Sequence, residues 1–216
     1  AVEENILGTY SPELISDLRA LAALYTSQGR VDKTEEMYKR ILEIEALFPE
    51  TDTADIIKTM DDLAALYAGT ERYDEAEIYL QNIIEMQEDL EGPSYAGLSK
   101  PLSDLAVIYF RKNQLSDAES LTRRVLTIDE RVLPSYHPDM AKSLSNLATV
   151  CVYNEKYKEA IDLYERALDI AEERFGKGSD TALAILINMQ NMYERMGKQA
   201  KANSVKKEIK RSEKRR

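Results

Sequence analysis

The sequence is poor in the residues on which most enzyme mechanisms depend. Its 216 residues include one histidine, one cysteine and no tryptophan. Cys151 cannot form an intramolecular disulfide without a second cysteine, which favours a reducing compartment such as the cytoplasm. A thiol nucleophile also needs a neighbouring base, and His137 is predicted to lie at a helix start, where a cap belongs. We therefore expect that the protein is not an enzyme.

Long apolar runs and phosphate-binding loops are also missing. No stretch of about 18 apolar residues is present, so no membrane-spanning helix is expected. Residues 1–7 contain two glutamates and no basic run, which is unlike a secretory signal. The segment 176–178 is too short for a phosphate-binding loop. The sequence predicts no metal site, no cofactor and no membrane contact.

Charge is abundant and unevenly distributed. Charged residues make up 31% of the chain, and with only eight glycines and six prolines this composition favours long helices. Residues 198–216 hold nine basic and two acidic residues, so this segment is +7 and the rest of the chain is −17. An acidic body argues against nucleic-acid binding. The basic end is either a solvated last helix or a contact for an acidic partner.

The chain repeats itself at a constant spacing of 42 residues. Residues 21–25 read Leu-Ala-Ala-Leu-Tyr, and related segments recur without insertions. The five copies of this element begin at Leu21, Leu63, Leu105, Leu147 and Met189. A second element follows each copy, with a small residue and then apolar residues spaced by three and four, which is typical of an amphipathic helix. Each unit is therefore predicted to be two helices joined by a short turn.

Helix ends are marked in several copies. Gly29 and Asn113 lie in two of the turns, where a left-handed residue can end a helix. Segment 11–13 reads Ser-Pro-Glu, which predicts a cap followed by a first-turn proline. His137-Pro138 occupies the same position three copies later, and Ser179 follows in the fifth copy. Pro101 lies three residues inside the expected start, so that helix either begins near Ser99 or is kinked.

The order of these residues resembles the tetratricopeptide repeat. The matching residues in the fourth copy are Leu144, Leu147, Ala148, Tyr157, Ala160, Tyr164 and Ala167. The 42-residue spacing is longer than the usual 34 and resembles the repeats of kinesin light chains. The resemblance implies an all-α fold, a right-handed α-solenoid of five helix-turn-helix repeats. These repeats are predicted at 11–52, 53–94, 95–136, 137–178 and 179–211, followed by a basic tail at 212–216.

Residues 1–10 are predicted to be the tail of a preceding repeat. Residues 3–12 align with residues 129–138, which are the end of a second helix and its exit loop. The first helix pair would then expose a face that normally packs on a neighbour. Such a face is a candidate surface for self-association.

In tetratricopeptide proteins a stripe of the first helices lines a concave groove, and the resemblance implies the same arrangement here. Three lysines occupy this stripe in successive copies, which suits a ligand with carboxylates unless the lysines are merely solvated. Nearby aromatic and apolar residues favour an aromatic anchor within a charged rim. The predicted groove residues are Lys58, Lys100, Lys142, Arg111, Phe110, Asn146, Thr149, Tyr153, Asn188 and Arg195.

Two functions remain open from the sequence. The first is a protein–protein interaction module, an adaptor or scaffold that binds an acidic peptide segment in its groove. The alternative is an oligomerising or regulatory scaffold arm of a larger multidomain protein, which would use its ends or its convex face.

Overall fold

The chain folds into helices connected by short turns. The computed structural model describes residues 8, 10–48 and 52–213, and this part of the chain contains ten α-helices and no strand. The all-α prediction is confirmed. The helices are α1 (Leu14–Ser27), α2 (Val31–Leu47), α3 (Thr53–Gly69), α4 (Tyr73–Glu91), α5 (Ser99–Arg111), α6 (Leu115–Val132), α7 (Pro138–Tyr153), α8 (Tyr157–Phe175), α9 (Asp180–Arg195) and α10 (Gln199–Glu213).

The helices belong to two compact units. The first unit comprises residues 1–89, and the second comprises residues 90–216. A short 3-10 helix, Ala96–Leu98, precedes α5 in the second unit. The predicted tail at 1–10 lies almost entirely outside the described residues, as does the end of the predicted basic tail.

The same backbone conformation closes every helix pair. One turn residue in each copy has a positive φ, and these residues are spaced 42 apart: Gly29 (68°), Glu71 (60°), Asn113 (60°), Glu155 (60°) and Gly197 (68°). The next N–H donates to the carbonyl five residues earlier, as in Lys156 to Cys151 at 2.8 Å. This bond is part of a Schellman motif, which satisfies carbonyls that the helix end leaves free. The predictions for Gly29 and Asn113 are thus confirmed.

Helix starts follow the sequence in most copies. His137 Nδ1 accepts a hydrogen bond from Asp139 N at 3.2 Å, and Ser179 Oγ accepts one from Ala182 N at 3.2 Å. Helix α5 begins at Ser99, so Pro101 lies in its first turn, where its missing N–H needs no partner. The predicted cap at Ser11 is wrong, because α1 begins only at Leu14 with Glu13 at the cap position, and Ser11 opens the turn before the helix, where its Oγ accepts a hydrogen bond from Glu13 N at 3.4 Å.

Small buried residues let the helices approach closely. Ala22, Ala64, Ala106 and Ala148 occupy the same position in four copies, and all are buried. The fifth copy has Gln190, which is half-buried. Protein interiors are packed to crystal-like density, so a larger residue at the alanine positions would push neighbouring helices apart.

Near its C-terminal end, the second helix of each pair carries a residue whose polarity varies from copy to copy. Glu45 is buried in the first unit and accepts a hydrogen bond from Thr59 Oγ1 at 3.1 Å. In the second unit the equivalent Asp129 accepts one from Ser143 Oγ at 2.5 Å. A buried carboxylate is tolerated only when such donors satisfy it. In the next copy apolar residues occupy both positions: Ala171 replaces the carboxylate and Ile185 replaces its hydroxyl donor, and both are buried.

An ion cluster ties the first repeat to the second. Glu35 on α2 accepts hydrogen bonds from Tyr67 OH at 3.0 Å and from Arg72, and it pairs with Lys39 at 2.7 Å. Burial raises the pKa of Glu35, but the hydrogen bonds from Lys39, Arg72 and Tyr67 outweigh burial and lower the pKa to about 2. The folded state therefore favours the ionised carboxylate.

We predict that Glu35→Gln lowers the free energy of unfolding at pH 7 by about 1–2 kcal/mol, because it removes the charge from a hydrogen-bonded cluster. Since the folded pKa is depressed, the contribution is present above about pH 4.5 and is lost as the pH falls towards 2. Urea denaturation followed by circular dichroism at several pH values measures both effects. The difference from wild type should shrink between pH 4.5 and 2.5.

The matched control is Glu36→Gln. Glu36 neighbours Glu35 on the same helix, but its ion pair with Lys33 is exposed, and exposed pairs contribute little. An equal loss of stability in this control would contradict the assignment of the effect to the buried cluster.

Candidate peptide-binding surface

A cavity between α7, α8 and α9 contains several of the predicted groove residues. Its volume is about 350 Å³, which lies in the range of small-molecule and peptide side-chain pockets. The lining residues are Thr149, Val152, Tyr153, Tyr164, Asn188, Asn191, Met192 and Arg195. Four of these were predicted from the sequence, namely Thr149, Tyr153, Asn188 and Arg195.

An aromatic and cationic stack borders this cavity, and two of its members, Tyr153 and Arg195, line it. The rings of Phe110 and Tyr153 meet edge to face, with centroids 4.6 Å apart. The guanidinium carbon of Arg195 lies 4.6 Å from the centroid of the Tyr153 ring. This cation–π contact orients the guanidinium while its N–H groups remain able to donate to a carboxylate. Tyr153 is itself 42% exposed, so the stack is open to a ligand.

The floor of the cavity is fixed by hydrogen bonds. Thr149 Oγ1 donates to the carbonyl of Ser145 at 2.9 Å and lies 2.9 Å from the hydroxyl of Tyr164. Since Thr149 has already used its proton, Tyr164 is the donor in the second contact. Burial raises the pKa of Tyr164 to about 12, so the phenol stays neutral and keeps this proton.

Two of the three predicted lysines line a second cavity in the same unit. This cavity has a volume of about 460 Å³ and includes Lys100 of α5 and Lys142 of α7. Lys100 Nζ lies 3.1 Å from the carboxylate of Asp104. Lys142 is exposed and forms no ion pair with any residue that the structure describes. Acidic residues share the lining, including Asp139 and the buried Asp129.

The remaining predicted residues lie apart from these two cavities. Lys58 is exposed on α3, in the first unit. Arg111 is exposed at the end of α5, and Asn146 is half-buried on α7; neither lines either cavity. Sequence reasoning named Tyr164 only as a residue of the repeat pattern and did not single out Asn191 or Met192. Asn191 lies 42 positions after Thr149, and this spacing was the available signal for it.

The single cysteine lies in a satisfied polar cluster. The ligand atoms of Glu119, Cys151 and Glu159 lie within 4.8 Å of one another, as in a possible metal site. However, the Glu119 carboxylate already accepts hydrogen bonds from Asn154 at 2.6 Å, Lys156 at 2.6 Å and Arg123 at 2.7 Å. A cation would have to displace these positive groups. The donor set therefore fits an ion-pair network better than a metal.

Cys151 is predicted to be unreactive in the folded protein. Burial, followed by the charges of Glu159 and Glu119, raises the pKa of its thiol to about 11, and thiolate is the reactive form. A thiol reagent such as dithionitrobenzoate at pH 8 should modify it only on the timescale of global unfolding. Urea should restore full reactivity, and stoichiometric modification within seconds in native buffer would contradict the assignment.

Membrane insertion finds no support in the helices that the structure describes, since none is both long and apolar enough to cross a bilayer.

Comparisons with known proteins identify the repeat. The tetratricopeptide repeat family matches residues 55–131 and 139–209. The nearly identical TPR-like repeats of a Podosopora anserina protein of kinesin light chain type are 21% identical, with a TM-score of 0.78 over 93% of this chain and 95% of that one. BtubC (BKLC) from P. vanneervenii is also 21% identical, with a TM-score of 0.80 over 97% and 85% of the two chains.

A more distant structure, the MamA protein, is 15% identical, with a TM-score of 0.64 over 94% of this chain and 93% of that one. No curated protein is significantly similar to the chain in sequence. The fold is that of non-catalytic scaffolds for protein–protein interaction. The family match covers more than half of the residues and agrees with the helix pairs of both units. The chain therefore belongs to the tetratricopeptide repeat family.

Proposed function

We propose that the chain is an adaptor whose second unit binds an acidic peptide segment, and that this peptide segment contains an aromatic residue. The observation that carries this proposal is the stack of Phe110, Tyr153 and Arg195 beside a cavity of about 350 Å³. An aromatic side chain of the peptide enters the cavity, and its acidic neighbours pair with the surrounding cations. Anchors of this type dominate the energy of many protein interfaces.

The pairing of cations elsewhere supports this assignment. Arg72, Arg123 and Arg166 each form an ion pair with a glutamate. Within the described part of the chain, Lys142 and Arg195 have no such partner. In a protein with a net charge of −10, cations without a carboxylate partner are available to a ligand.

We predict that Lys100→Glu with Lys142→Glu weakens binding of an acidic peptide by at least about tenfold, because two attractive charges become repulsive. The probe is a fluorescein-labelled nonapeptide with a central tryptophan flanked by aspartate and glutamate. Fluorescence anisotropy gives its dissociation constant. A second probe, with asparagine and glutamine in place of the acids, should bind weakly to both proteins.

The control is Lys158→Glu with Lys207→Glu, which changes the net charge equally at exposed positions outside both cavities. This variant should retain most of the affinity of the wild type. Equal losses in the two variants would mean that only overall charge matters, and the proposed site would then be wrong.

A second candidate function is supported by the outer face of the first repeat. Leu21 is 40% exposed, whereas the equivalent Leu63, Leu105 and Leu147 are at most 4% exposed. Leu24 is 50% exposed, whereas Ile108 of the third copy is 2% exposed. Exposed apolar residues at positions that are otherwise buried indicate an interaction surface.

We propose that this face joins two copies of the chain. The fifth repeat carries the polar Gln190 in place of the alanine of the other copies, so its polar end is a poor complement for an apolar face. Contact of the first-repeat face with itself gives a closed, two-fold dimer. This is the scaffold function that competes with, or accompanies, peptide binding.

We predict that Leu21→Glu with Leu24→Glu converts a concentration-dependent dimer into a monomer, because the charges cannot be buried in an apolar contact. Sedimentation velocity between 1 and 100 µM, on the order of typical working concentrations, measures the change. Ile78→Glu, at a 56% exposed isoleucine of α4, is the matched control and should still dimerise. A wild-type chain that stays monomeric throughout would exclude this function.

A further inference from the structure

The first unit contains a cavity that the sequence did not indicate. It lies between α1, α2 and α3 and has a volume of about 410 Å³. The lining residues are Thr26, Thr34, Tyr38, Asp62, Ala65, Leu66, Gly69 and Thr70. Its volume lies in the range of ligand-binding clefts, roughly 300–1,000 Å³.

This cavity occupies the same place in the repeat pattern as the cavity beside Arg195. Six of its residues have counterparts 126 positions later, three repeat lengths away, in the lining of the other cavity. Three counterparts are similar or keep the same bulk: Thr26 and Val152, Tyr38 and Tyr164, Leu66 and Met192. The other three differ in chemistry: Asp62 replaces Asn188, Ala65 replaces Asn191, and Gly69 replaces Arg195.

The walls of the first-unit cavity offer few free polar groups. The hydroxyl of Thr26 donates to the carbonyl of Ala22 at 2.8 Å, and the hydroxyl of Thr34 donates to that of Arg30 at 3.1 Å. Thr70 donates to the carbonyl of Leu66 at 2.9 Å. Because their hydroxyl protons are donated to backbone carbonyls, the three threonines contribute mainly apolar surface to the cavity. An apolar side chain would bury that surface at little polar cost.

The charged group of this cavity is acidic. Asp62 lies 3.6 Å from one nitrogen of Arg19, but the other terminal nitrogen of Arg19 contacts Glu45 at 3.2 Å and Thr59 at 2.7 Å. One guanidinium is thus shared between two carboxylates. Asp62 is the acidic residue of the lining, and in a chain of net charge −10 its carboxylate attracts a cationic ligand group.

We propose that this cavity is a peptide subsite for an aliphatic side chain that has a lysine or arginine next to it. The proposal rests on the proposed function, in which the equivalent positions of the second unit bind a peptide. The three differing residues make the subsite selective, since Ala65 and Gly69 leave the space that Asn191 and Arg195 occupy in the other cavity. Asp62 then pairs with the lysine or arginine of the peptide, whereas Arg195 in the other cavity pairs with a carboxylate.

The test uses a fluorescein-labelled nonapeptide with a central leucine flanked by lysine and arginine. Its control has serine in place of leucine and the same charges. The leucine peptide should bind at least about tenfold more tightly than the serine peptide, because only the leucine fills the cavity. Equal binding of the two would show attraction to an acidic protein alone and would overturn the proposal.

The decisive variant is Ala65→Asn with Gly69→Arg, which installs the residues of the other cavity. A Cβ added at Gly69 meets no atom within 4 Å, and the φ of Gly69 is not in the left-handed region, so the variant should fold. Circular dichroism checks that it does. Binding of the leucine peptide should fall at least about tenfold, while binding of the acidic tryptophan peptide should not change. Asp62→Asn should cause a smaller loss that disappears at high salt.

The outcomes separate this proposal from the proposed function. If the variant binds the leucine peptide as tightly as the wild type does, the subsite is wrong. If it loses both peptides equally, the two share one site and the selectivity argument is wrong. Failure of the acidic peptide alone, with the leucine peptide still sensitive to Ala65→Asn and Gly69→Arg, would remove the proposed function and keep this subsite.

Discussion

Close approach of helices at one small residue in each of the first four repeats is the constraint on which the structure depends. Ala22, Ala64, Ala106 and Ala148 are all buried at this position, where a larger side chain would overpack the interior and force the helices apart. The Schellman turn fixes how the two helices of each pair are connected. In two copies this turn requires a glutamate with a positive φ. That conformation costs about 1–2 kcal/mol for a residue other than glycine, so packing of the helices must outweigh it.

The difference between packing positions and groove positions explains how one fold carries two different cavities. The packing positions repeat every 42 residues, whereas the groove positions are free to vary because no neighbouring helix fills them. Tyr38 and Tyr164 therefore keep the same place in their cavities, while Gly69 and Arg195 give those cavities opposite character. Function in such a protein follows from the residues that the repeat does not require.

Much of the fold could be predicted from the sequence, because its signals are local and periodic. The helix pairs, the caps at His137 and Ser179 and the turn at Gly29 follow from spacing and side-chain chemistry. Glu71 and Glu155 were missed, since tertiary packing imposes a conformation that their side chains disfavour. Ser11 was predicted to cap the first helix, whereas its hydroxyl accepts a local hydrogen bond in the turn before that helix.

The candidate site was less accessible to sequence reasoning. A stripe of lysines can be found from spacing alone, but the cavities depend on how three helices meet, and residues such as Tyr164 serve both core and surface. The cation–π contact of Arg195 with Tyr153 joins two repeats and has no local sequence signal.

Selection of peptides from a random display library tests the central claim most directly. The wild type is compared with a double variant that carries Tyr153→Ala and Arg195→Glu. The account predicts that sequences with an aromatic residue among acidic ones are enriched on wild type and lost on the variant; their absence from wild type, or their persistence on the variant, would contradict it.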